Sequence, residues 1–152
     1  MYAALAAAWP SVIGGTPSRE SLLVLLAQWS LETGNGASMV GWNVGNFKAS
    51  ASSPLWTSFL TTEYQGGSPV QMMQNFAAYP NLQAGVSAYL GAMQGHFGGA
   101  WQYVLDGDVD GFAQALSDEG YYTAPEATYQ AGLEARYNAL DAQIPGGGNG
   151  NA

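Results

Sequence analysis

The chain lacks cysteine and is poor in cations. Its 152 residues contain no cysteine, one histidine and three Lys or Arg residues. Without cysteine, neither disulfides nor thiolate metal sites can hold the fold together. The single histidine, His96, cannot assemble a metal cluster by itself. We therefore expect no metal and no other cofactor.

The scarcity of cations leaves a strongly acidic chain. Eleven Asp and Glu residues against three cations give a formal net charge of −8. A nucleic-acid partner is excluded, because binding phosphates needs a basic face, and the same charge opposes binding to anionic membranes. No apolar run is long enough to span a bilayer. The apolar N-terminus lacks a basic region, so it is not a recognisable signal peptide.

The composition that is present predicts one globular domain. Apolar residues make up 47% of the chain and aromatic residues 12%, which suits a domain with its own core. We place this domain at residues 1–144. The remaining "PGGGNGNA", residues 145–152, is predicted to be a glycine-rich tail or linker by its composition.

Several segments have the spacing of helices. Residues 18–33 begin with a capping Ser18, carry Glu20 in the first turn and place Leu22, Leu25, Leu26 and Trp29 on one face. Further helices are expected in "NLQAGVSAYLGAMQGHF", where Asn81 can cap, and around residues 101–105, 109–117 and 125–143. The N-terminal "MYAALAAAWP" predicts a short core helix that stops before Pro10.

The helical period disappears between residue 34 and about residue 80. There, "SPLWTSFLTTEYQGGSPVQMMQNFAAYP" alternates as two short strands around a "QGGSP" turn. We predict a β-hairpin in a lobe of about residues 46–79. The fold class is therefore α+β and mainly α, with helices enclosing one small β-lobe.

In "LAQWSLETGNG", residues 26–36, an apolar helix runs into a polar turn, and one acid, Glu32, stands where the two meet. At about 100° per residue, Glu32 falls at the edge of the apolar stripe and half faces the core. Partial burial disfavours the charged form of a carboxyl and raises its pKa, which suits a general acid. The alternative is that Glu32 is an exposed charge that only ends a helix.

Four blocks stand in order along the chain: "LAQWSLETGNG", "WNVGNFKAS", "TTEYQGGSPVQMMQNFAAYPNLQAGVSAYL" and "GYYTAP" followed by Tyr129. Together they resemble the glucosaminidases of glycoside hydrolase family 73. These are bacterial and phage peptidoglycan hydrolases. The resemblance runs from about residue 22 to residue 133. It implies a lysozyme-like helical domain with a small β-hairpin lobe beside an active-site groove.

The resemblance also implies catalytic residues. Glu32 is the expected acid, Glu63 in "TTEY" the second carboxylate, and Tyr121 in "GYYTAP" a residue beside the active site. Glu63 could activate water or attack carbon, or only assist if the N-acetyl group of the substrate is the nucleophile; it could also be a solvated hairpin charge. The Tyr121 phenol could bond the acetamido group or orient the developing cation, or be a buried tyrosine. Ala124 stands where the family usually has an aspartate.

A second group of residues is expected to bind substrate. Amides and aromatic faces in "GWNVGNFKAS" suit sugar hydroxyls, acetamido groups and pyranose rings. Lys48 could neutralise a substrate carboxylate or pair with an acid. Phe47, Trp29 and Tyr89 are assigned to the core, and His96 to a surface or packed helix position. The expected substrate-binding residues are Trp42, Asn43, Asn46, Lys48, Thr123 and Tyr129.

These features predict a hydrolase of the glycan strand of peptidoglycan that cuts β-1,4 bonds as an endo-β-N-acetylglucosaminidase. Two alternatives stay open: a lytic transglycosylase of the same fold, and a non-catalytic wall-binding or virion module. The expected location is extracellular, in the cell wall or in a phage virion. A charge of −8 opposes free encounter with an anionic wall, so we expect the domain to be tethered to a larger wall or virion assembly.

Overall fold

A computed structural model describes residues 1–146 of the chain. Within them, six helices accompany one two-stranded antiparallel sheet, which confirms the α+β, mainly helical fold class. The helices are α1 Tyr2–Val12, α2 Arg19–Thr33, α3 Leu82–Gly95, α4 Gly98–Asp106, α5 Val109–Asp118 and α6 Glu126–Gln143, and the strands are β1 Trp56–Gln65 and β2 Ser68–Ala77.

Helix α2 is the centre of the core and confirms the helix predicted over residues 18–33. The Ser18 hydroxyl accepts a hydrogen bond from the Ser21 amide at 2.9 Å and caps its first turn. Glycine ends it, because Gly34 adopts the left-handed conformation with φ 56°. Between these ends the helix is buried on nearly every side by its neighbours. Its own residues Leu23 and Leu25 are 0% exposed.

The other helices contribute to the same core as α2. The predicted apolar stripe of α3 is confirmed, since Val86, Tyr89, Leu90 and Met93 are buried, while Leu82 is partly buried against the same core. Asn81 caps α3 as predicted, and its side chain accepts from the Ala84 amide at 2.9 Å. None of the helices within residues 1–146 is long and apolar enough to cross a membrane.

The N-terminal helix does not stop before Pro10, contrary to the prediction. Helix α1 continues through Pro10 to Val12. A proline removes one backbone donor, but Pro10 lies near the end of the helix, and the next turn closes through the Ile13 amide bond to the Trp9 carbonyl at 2.8 Å. Trp9 is buried and stacks on Trp101 with ring centroids 5.3 Å apart. This tertiary packing holds the turn in place.

The hairpin predicted around "QGGSP" is confirmed. Gln65 pairs with Ser68, so Gly66 and Gly67 form a two-residue turn with φ 57° and 82°. Positive φ at both positions belongs to the turn that matches the twist of a hairpin. Inside the lobe, Phe59 stacks on Phe76 at 4.2 Å.

The loop before the hairpin holds the base of the lobe against the helical body. Lys48 forms an isolated antiparallel bridge with Phe76, and the Ala77 amide donates to the Phe47 carbonyl at 3.0 Å. On the other side, the loop lies directly on α3, where a Cβ on Gly85 would come within 1.9 Å of the Trp42 carbonyl oxygen.

Of the predicted tail at 145–152, residues 147–152 lie outside the described residues.

Candidate active site

A groove of about 670 Å³ lies between the helical body and the hairpin. It is lined by the end of α2, by β1, by the loop at 45–48 and by the segment that leads into α6. It brings together all of the predicted site residues except Trp42 and Asn43, namely Glu32, Asn46, Lys48, Glu63, Tyr121, Thr123 and Tyr129.

Glu32 stands in the last turn of α2 and is half-buried. The turn that follows is fixed by Thr33, whose hydroxyl donates to the Trp29 carbonyl at 2.6 Å and accepts from the Gly36 amide at 2.9 Å. The carboxylate is held from the opposite side by α6, because the Tyr129 hydroxyl donates to Glu32 Oε1 at 2.9 Å. Both contacts hold the acid at the groove wall.

Burial sets the acidity of Glu32. Withdrawal from water raises the pKa of its carboxyl, and the hydrogen bond from Tyr129 opposes this rise in part. Burial also raises the pKa of Tyr129 and of Tyr121 well above 10, so both phenols stay neutral donors near neutral pH. An acid with a raised pKa keeps more of its proton at neutral pH, which is the property that a general acid needs.

Glu63 faces the same groove from β1. Its side chain is 19% exposed and pairs with Lys48, with Lys48 Nζ 2.9 Å from Glu63 Oε1. The structure thus shows the second of the two roles considered for Lys48, the pairing with an acid. Because Lys48 also bridges to β2, it ties the hairpin carboxylate to the loop at the base of the lobe.

The hydroxyl of Tyr121 is already engaged by the protein. It donates to the Gly45 carbonyl at 2.6 Å, and its ring packs edge-on against Phe47 and Phe97 with centroids 6.3 and 5.0 Å away. This corresponds to the buried-tyrosine alternative rather than to a phenol free to bond an acetamido group. Tyr121 lines the groove and supports the loop that forms its floor.

Two residues expected to bind substrate lie away from the groove. Asn43 is 3% exposed, and its amide donates to the Phe47 carbonyl at 2.8 Å and accepts from the Phe47 amide at 2.9 Å. Both polar ends therefore close the loop instead of facing a ligand. Trp42 is 44% exposed but does not line the groove. Its backbone is left-handed, with φ 55°, where the loop turns against α3. Asn46, with φ 53°, does reach the groove.

Sequence reasoning missed Gln28 and Phe97, and it did not place His96 at the groove. Gln28 lies one turn before Glu32, is fully buried and accepts a hydrogen bond from the Tyr89 hydroxyl. The available signal was a polar side chain four residues before an acid in an otherwise apolar helix. His96 is exposed, as expected, yet it lines the groove together with Phe97. Tyr89 is buried in the core, as predicted.

The arrangement combines one carboxyl of raised pKa with a second carboxylate in one groove. Glycoside cleavage uses such a pair, in which one carboxylic acid protonates the leaving oxygen and the other activates water or attacks carbon. Across residues 1–146, no group of three or more His, Asp or Glu side chains is arranged to hold a metal ion.

Comparison with known families decides the assignment. The sequence model of the glucosaminidase family, described as mannosyl-glycoprotein endo-beta-N-acetylglucosaminidase, matches residues 20–142. The chain belongs to this family. The glucosaminidase domain is therefore a glycosidase, and the resemblance inferred from its motifs is confirmed.

Relatives agree with this assignment. The glucosaminidase domain is 30% identical over 122 residues to the peptidoglycan hydrolase FlgJ of Pseudomonas aeruginosa, a match that covers 74% of the chain and 30% of the relative. The chain thus spans about 30% of the length of this curated relative.

Solved structures share the fold. A peptidoglycan hydrolase mutant from Sphingomonas sp. A1 superposes with a TM-score of 0.71 at 24% identity, over 94% of this chain and 97% of that one. The catalytic domain of the autolysin Auto from Listeria monocytogenes gives 0.66 at 18% identity, over 92% and 80% of the two chains. These likenesses confirm the lysozyme-like fold of the glucosaminidase domain.

Proposed function

We propose that this glucosaminidase domain hydrolyses the glycan strand of peptidoglycan and cuts the β-1,4 bond after N-acetylglucosamine. The observation that carries the proposal is the groove itself, in which the half-buried Glu32 and the hairpin carboxylate Glu63 line the same cleft. Similarity to proteins named peptidoglycan hydrolases supports this class of substrate.

Glu32 acts as the general acid. Its carboxyl gives its proton to the glycosidic oxygen as the bond to carbon breaks, so the leaving sugar departs as a neutral alcohol. The carboxylate left behind is half-buried and needs a donor. The Tyr129 hydroxyl, 2.9 Å from Oε1, supplies that hydrogen bond and stabilises the new charge.

Glu63 acts as the base that activates water. Its carboxylate removes a proton from a water molecule, and the resulting oxygen attacks the anomeric carbon. Lys48 holds this carboxylate at the groove wall through their 2.9 Å ion pair. In the alternative route the N-acetyl group of the substrate attacks first, and Glu63 only assists.

Polar and aromatic groups along the groove bind the sugar rings. Asn46 and Thr123 offer hydrogen bonds to hydroxyl and acetamido groups, and Phe47 and Phe97 offer apolar surface. A cleft that combines aromatic surface with a few placed polar groups suits a carbohydrate. Tyr121 contributes by holding Gly45 in the floor of this cleft.

The decisive experiment compares Glu32→Gln and Glu63→Gln by mass spectrometry of the muropeptides released from purified peptidoglycan. Loss of general acid catalysis in Glu32→Gln is expected to reduce activity by about 10²- to 10⁴-fold. A loss of similar size in Glu63→Gln indicates water activation, whereas a distinctly smaller loss indicates attack by the acetamido group. Glu134→Gln, an exposed acid on α6, is the matched control and should keep wild-type activity.

The chemical form of the products distinguishes hydrolysis from the two alternative functions. Reducing ends at N-acetylglucosamine are the expected result. Anhydro ends would identify a lytic transglycosylase, and no products would identify a binding module. A Glu32→Gln protein that keeps more than about a tenth of the activity, far above the expected general-acid loss, would contradict the role of Glu32.

We further propose that the domain acts on the wall outside the cytoplasm and is tethered to a larger wall or virion assembly. The net charge of −8 supports tethering, since a free domain of this charge is repelled by an anionic wall.

A further inference from the structure

The two faces of the hairpin differ in exposure. Along β1 the side chains alternate between exposed and partly buried, because successive residues of a strand point to opposite faces. The partly buried set includes Thr61 and Glu63, which line the groove. The opposite side, the outer face, is exposed at every position except Ala77. Across the two strands its residues form the pairs Trp56–Ala77, Ser58–Asn75, Leu60–Met73, Thr62–Gln71 and Tyr64–Pro69.

Large apolar side chains recur at every fourth residue of β1 on the outer face. Trp56 is 59% exposed, Leu60 57% and Tyr64 57%, and Met73, which pairs with Leu60, is 63% exposed. A step of four residues is about 13 Å in a strand. Hydroxyl and amide side chains occupy the pairs between these apolar positions, namely Ser58–Asn75 and Thr62–Gln71. A contiguous apolar surface of this kind, interrupted by polar groups, marks an interaction site.

Charge is distributed unevenly along the chain, and the outer face lies in its uncharged part. From residue 49 to residue 105, Glu63 is the one Asp, Glu, Lys or Arg in the sequence, and its side chain is paired with Lys48. Most of the eleven acids follow residue 105, on α4, α5, α6 and their connections. An anionic polymer is therefore repelled by that part of the molecule and least by the hairpin.

The size of the outer face argues against a second copy of this chain as its partner. Ten residues in each strand give a strip roughly 33 Å long and about 10 Å wide, on the order of 300 Å² of flat surface. A stable dimer needs about 800 Å² from each partner. A long and narrow strip suits a linear polymer better than a globular partner.

The chemistry of the outer face fits a glycan strand. Sugar rings combine apolar C–H faces with hydroxyl edges, so they bind where aromatic or aliphatic surface alternates with placed polar groups. The outer face is also continuous with the candidate active site, because Thr62 and Tyr64 line the groove as well. A glycan strand on this face is therefore held next to the groove.

We propose that the outer face of the hairpin is a second glycan-binding surface, which holds uncharged sugar rings of the cell wall beside the groove. This inference rests on the proposed function only for the identity of the polymer. Attachment through the outer face raises the effective concentration of glycan at the groove, since both surfaces belong to one small domain and act on one polymer network.

The test measures binding without turnover. Glu32→Gln is the parent of all variants, and each protein is sedimented at low temperature with purified peptidoglycan and, separately, with chitin. Trp56→Thr and Leu60→Thr remove apolar surface and keep a residue that suits a strand. Each should weaken binding to both polymers about 5-fold, the effect of losing one anchor. The ratio to the parent should not change with salt, because neither substitution removes a charge.

Leu105→Gln is the matched control for these variants. Leu105 is 44% exposed, but it lies on α4, away from the hairpin. Its replacement removes a comparable exposed side chain from the acidic part of the molecule, so binding to both polymers should equal that of the parent.

Turnover gives a second readout in proteins that keep Glu32. Trp56→Thr should raise KM for peptidoglycan about 5-fold and leave kcat unchanged, since it removes binding that is equal in ground state and transition state. Cleavage of a short chitooligosaccharide, which occupies the groove alone, should match the wild type. A structural fault in the hairpin would impair both substrates, because Glu63 lies on the same strand.

Other results would overturn the inference. Unchanged binding of both variants would show that the outer face does not contact glycan, and a loss on peptidoglycan without a loss on chitin would assign it to the peptide stems. A wild-type dimer that Trp56→Thr dissociates in light scattering would assign the face to a second copy. Wild-type binding to phosphatidylcholine vesicles that Trp56→Thr removes would assign it to a membrane. Failure of the proposed function is distinct, because a wild-type protein that releases no products leaves the binding comparison valid.

Discussion

At the scale of single residues, the burial that suits Glu32 to its proposed role as an acid also makes its charge costly to the fold. Burial raises the pKa of its carboxyl, which means that the folded state holds the proton more tightly than the unfolded chain does. The stability that this group contributes is fully present below its unfolded pKa and is lost as the pH rises through its folded pKa. At neutral pH and above, the ionised carboxylate therefore destabilises the fold.

Glu32→Gln should consequently stabilise the protein in a pH-dependent way. The melting temperature of the variant should exceed that of the wild type at pH 8, with little or no gain at pH 4, where the wild-type carboxyl is protonated. A gain of about 1 kcal/mol would raise the melting temperature by roughly 2–4 °C in a domain of this size. Thermal unfolding of both proteins at the two pH values checks this, with the exposed Glu134→Gln as control. An equal gain at both pH values would show that ionisation of Glu32 is not the cause.

Tyr121→Phe should affect stability more than chemistry. The Tyr121 hydroxyl donates to the Gly45 carbonyl at 2.6 Å. Removal of this partly buried donor leaves the carbonyl of the buried Gly45 without its partner, which costs about 1–3 kcal/mol. Since this hydroxyl is engaged by the protein, kcat should fall by no more than about 10-fold, the effect of one hydrogen bond. Urea unfolding and steady-state kinetics measure the two effects. Tyr103→Phe, at a position 37% exposed, is the control. An unchanged stability with a 10²-fold or larger loss of kcat would mean that the hydroxyl touches substrate.

The sequence predicted the two carboxylates and Tyr129 because each lies in a regular element or a motif with a fixed place along the chain. It could not predict the positions of Trp42 and Asn43. Their loop is shaped by left-handed residues, including Trp42 at φ 55°, and by close packing against Gly85, where a Cβ would come within 1.9 Å of the Trp42 carbonyl. Both features depend on a tertiary contact that local pattern does not contain.

At the scale of elements, the hairpin is the part of the domain that packs least against the rest of the structure. Its outer face exposes large apolar side chains: Trp56 is 59% exposed, Leu60 57% and Met73 63%. Its firm connections to the body are near its base, through the Lys48–Phe76 bridge and the Ala77–Phe47 backbone bond. Few buried contacts and exposed backbone mark a segment that opens locally at low free-energy cost.

The hairpin should therefore exchange its amide hydrogens faster than α2. Amides of residues 58–73 should exchange well before those of residues 22–31, whose side chains are mostly buried. A chitooligosaccharide bound in the proposed groove would contact both of its walls, so it should slow exchange in the hairpin selectively. Hydrogen exchange read by mass spectrometry, with and without the oligosaccharide, tests both statements. Equal protection of the two segments in the free protein would show that the hairpin is a rigid part of the body.

Element by element, helices and hairpin followed from periodicity and turn chemistry, and Pro10 marks where this reasoning failed. The rule that helices end before proline is local. In α1 it is overridden by the burial of Trp9 and its stacking on Trp101, a contact between residues far apart in sequence. Here tertiary packing outweighs the local preference, because Pro10 lies near the end of the helix and removes one backbone bond.

At the scale of the whole molecule, the negative charge of the domain repels the proposed substrate, which is anionic. The chain carries a net charge of −8 and has three Lys or Arg residues. Of these, Arg19 is bonded to Asp141 at 2.7 Å, and Lys48 is paired with Glu63. Little positive charge is left to attract an anionic polymer. The field around the domain should slow encounter rather than steer it.

Activity of the isolated domain on cell walls should therefore rise with salt over the low range. Added salt shortens the reach of the repulsion to about 8 Å at physiological ionic strength, so kcat/KM should increase by a few-fold between low salt and that point. Turbidity assays on purified walls measure the effect. A neutral chitooligosaccharide is the control substrate, because it carries no charge to repel and its cleavage should change little. A steady loss of wall-degrading activity with added salt would mean that attraction dominates, and the argument for a tether from net charge would then fail.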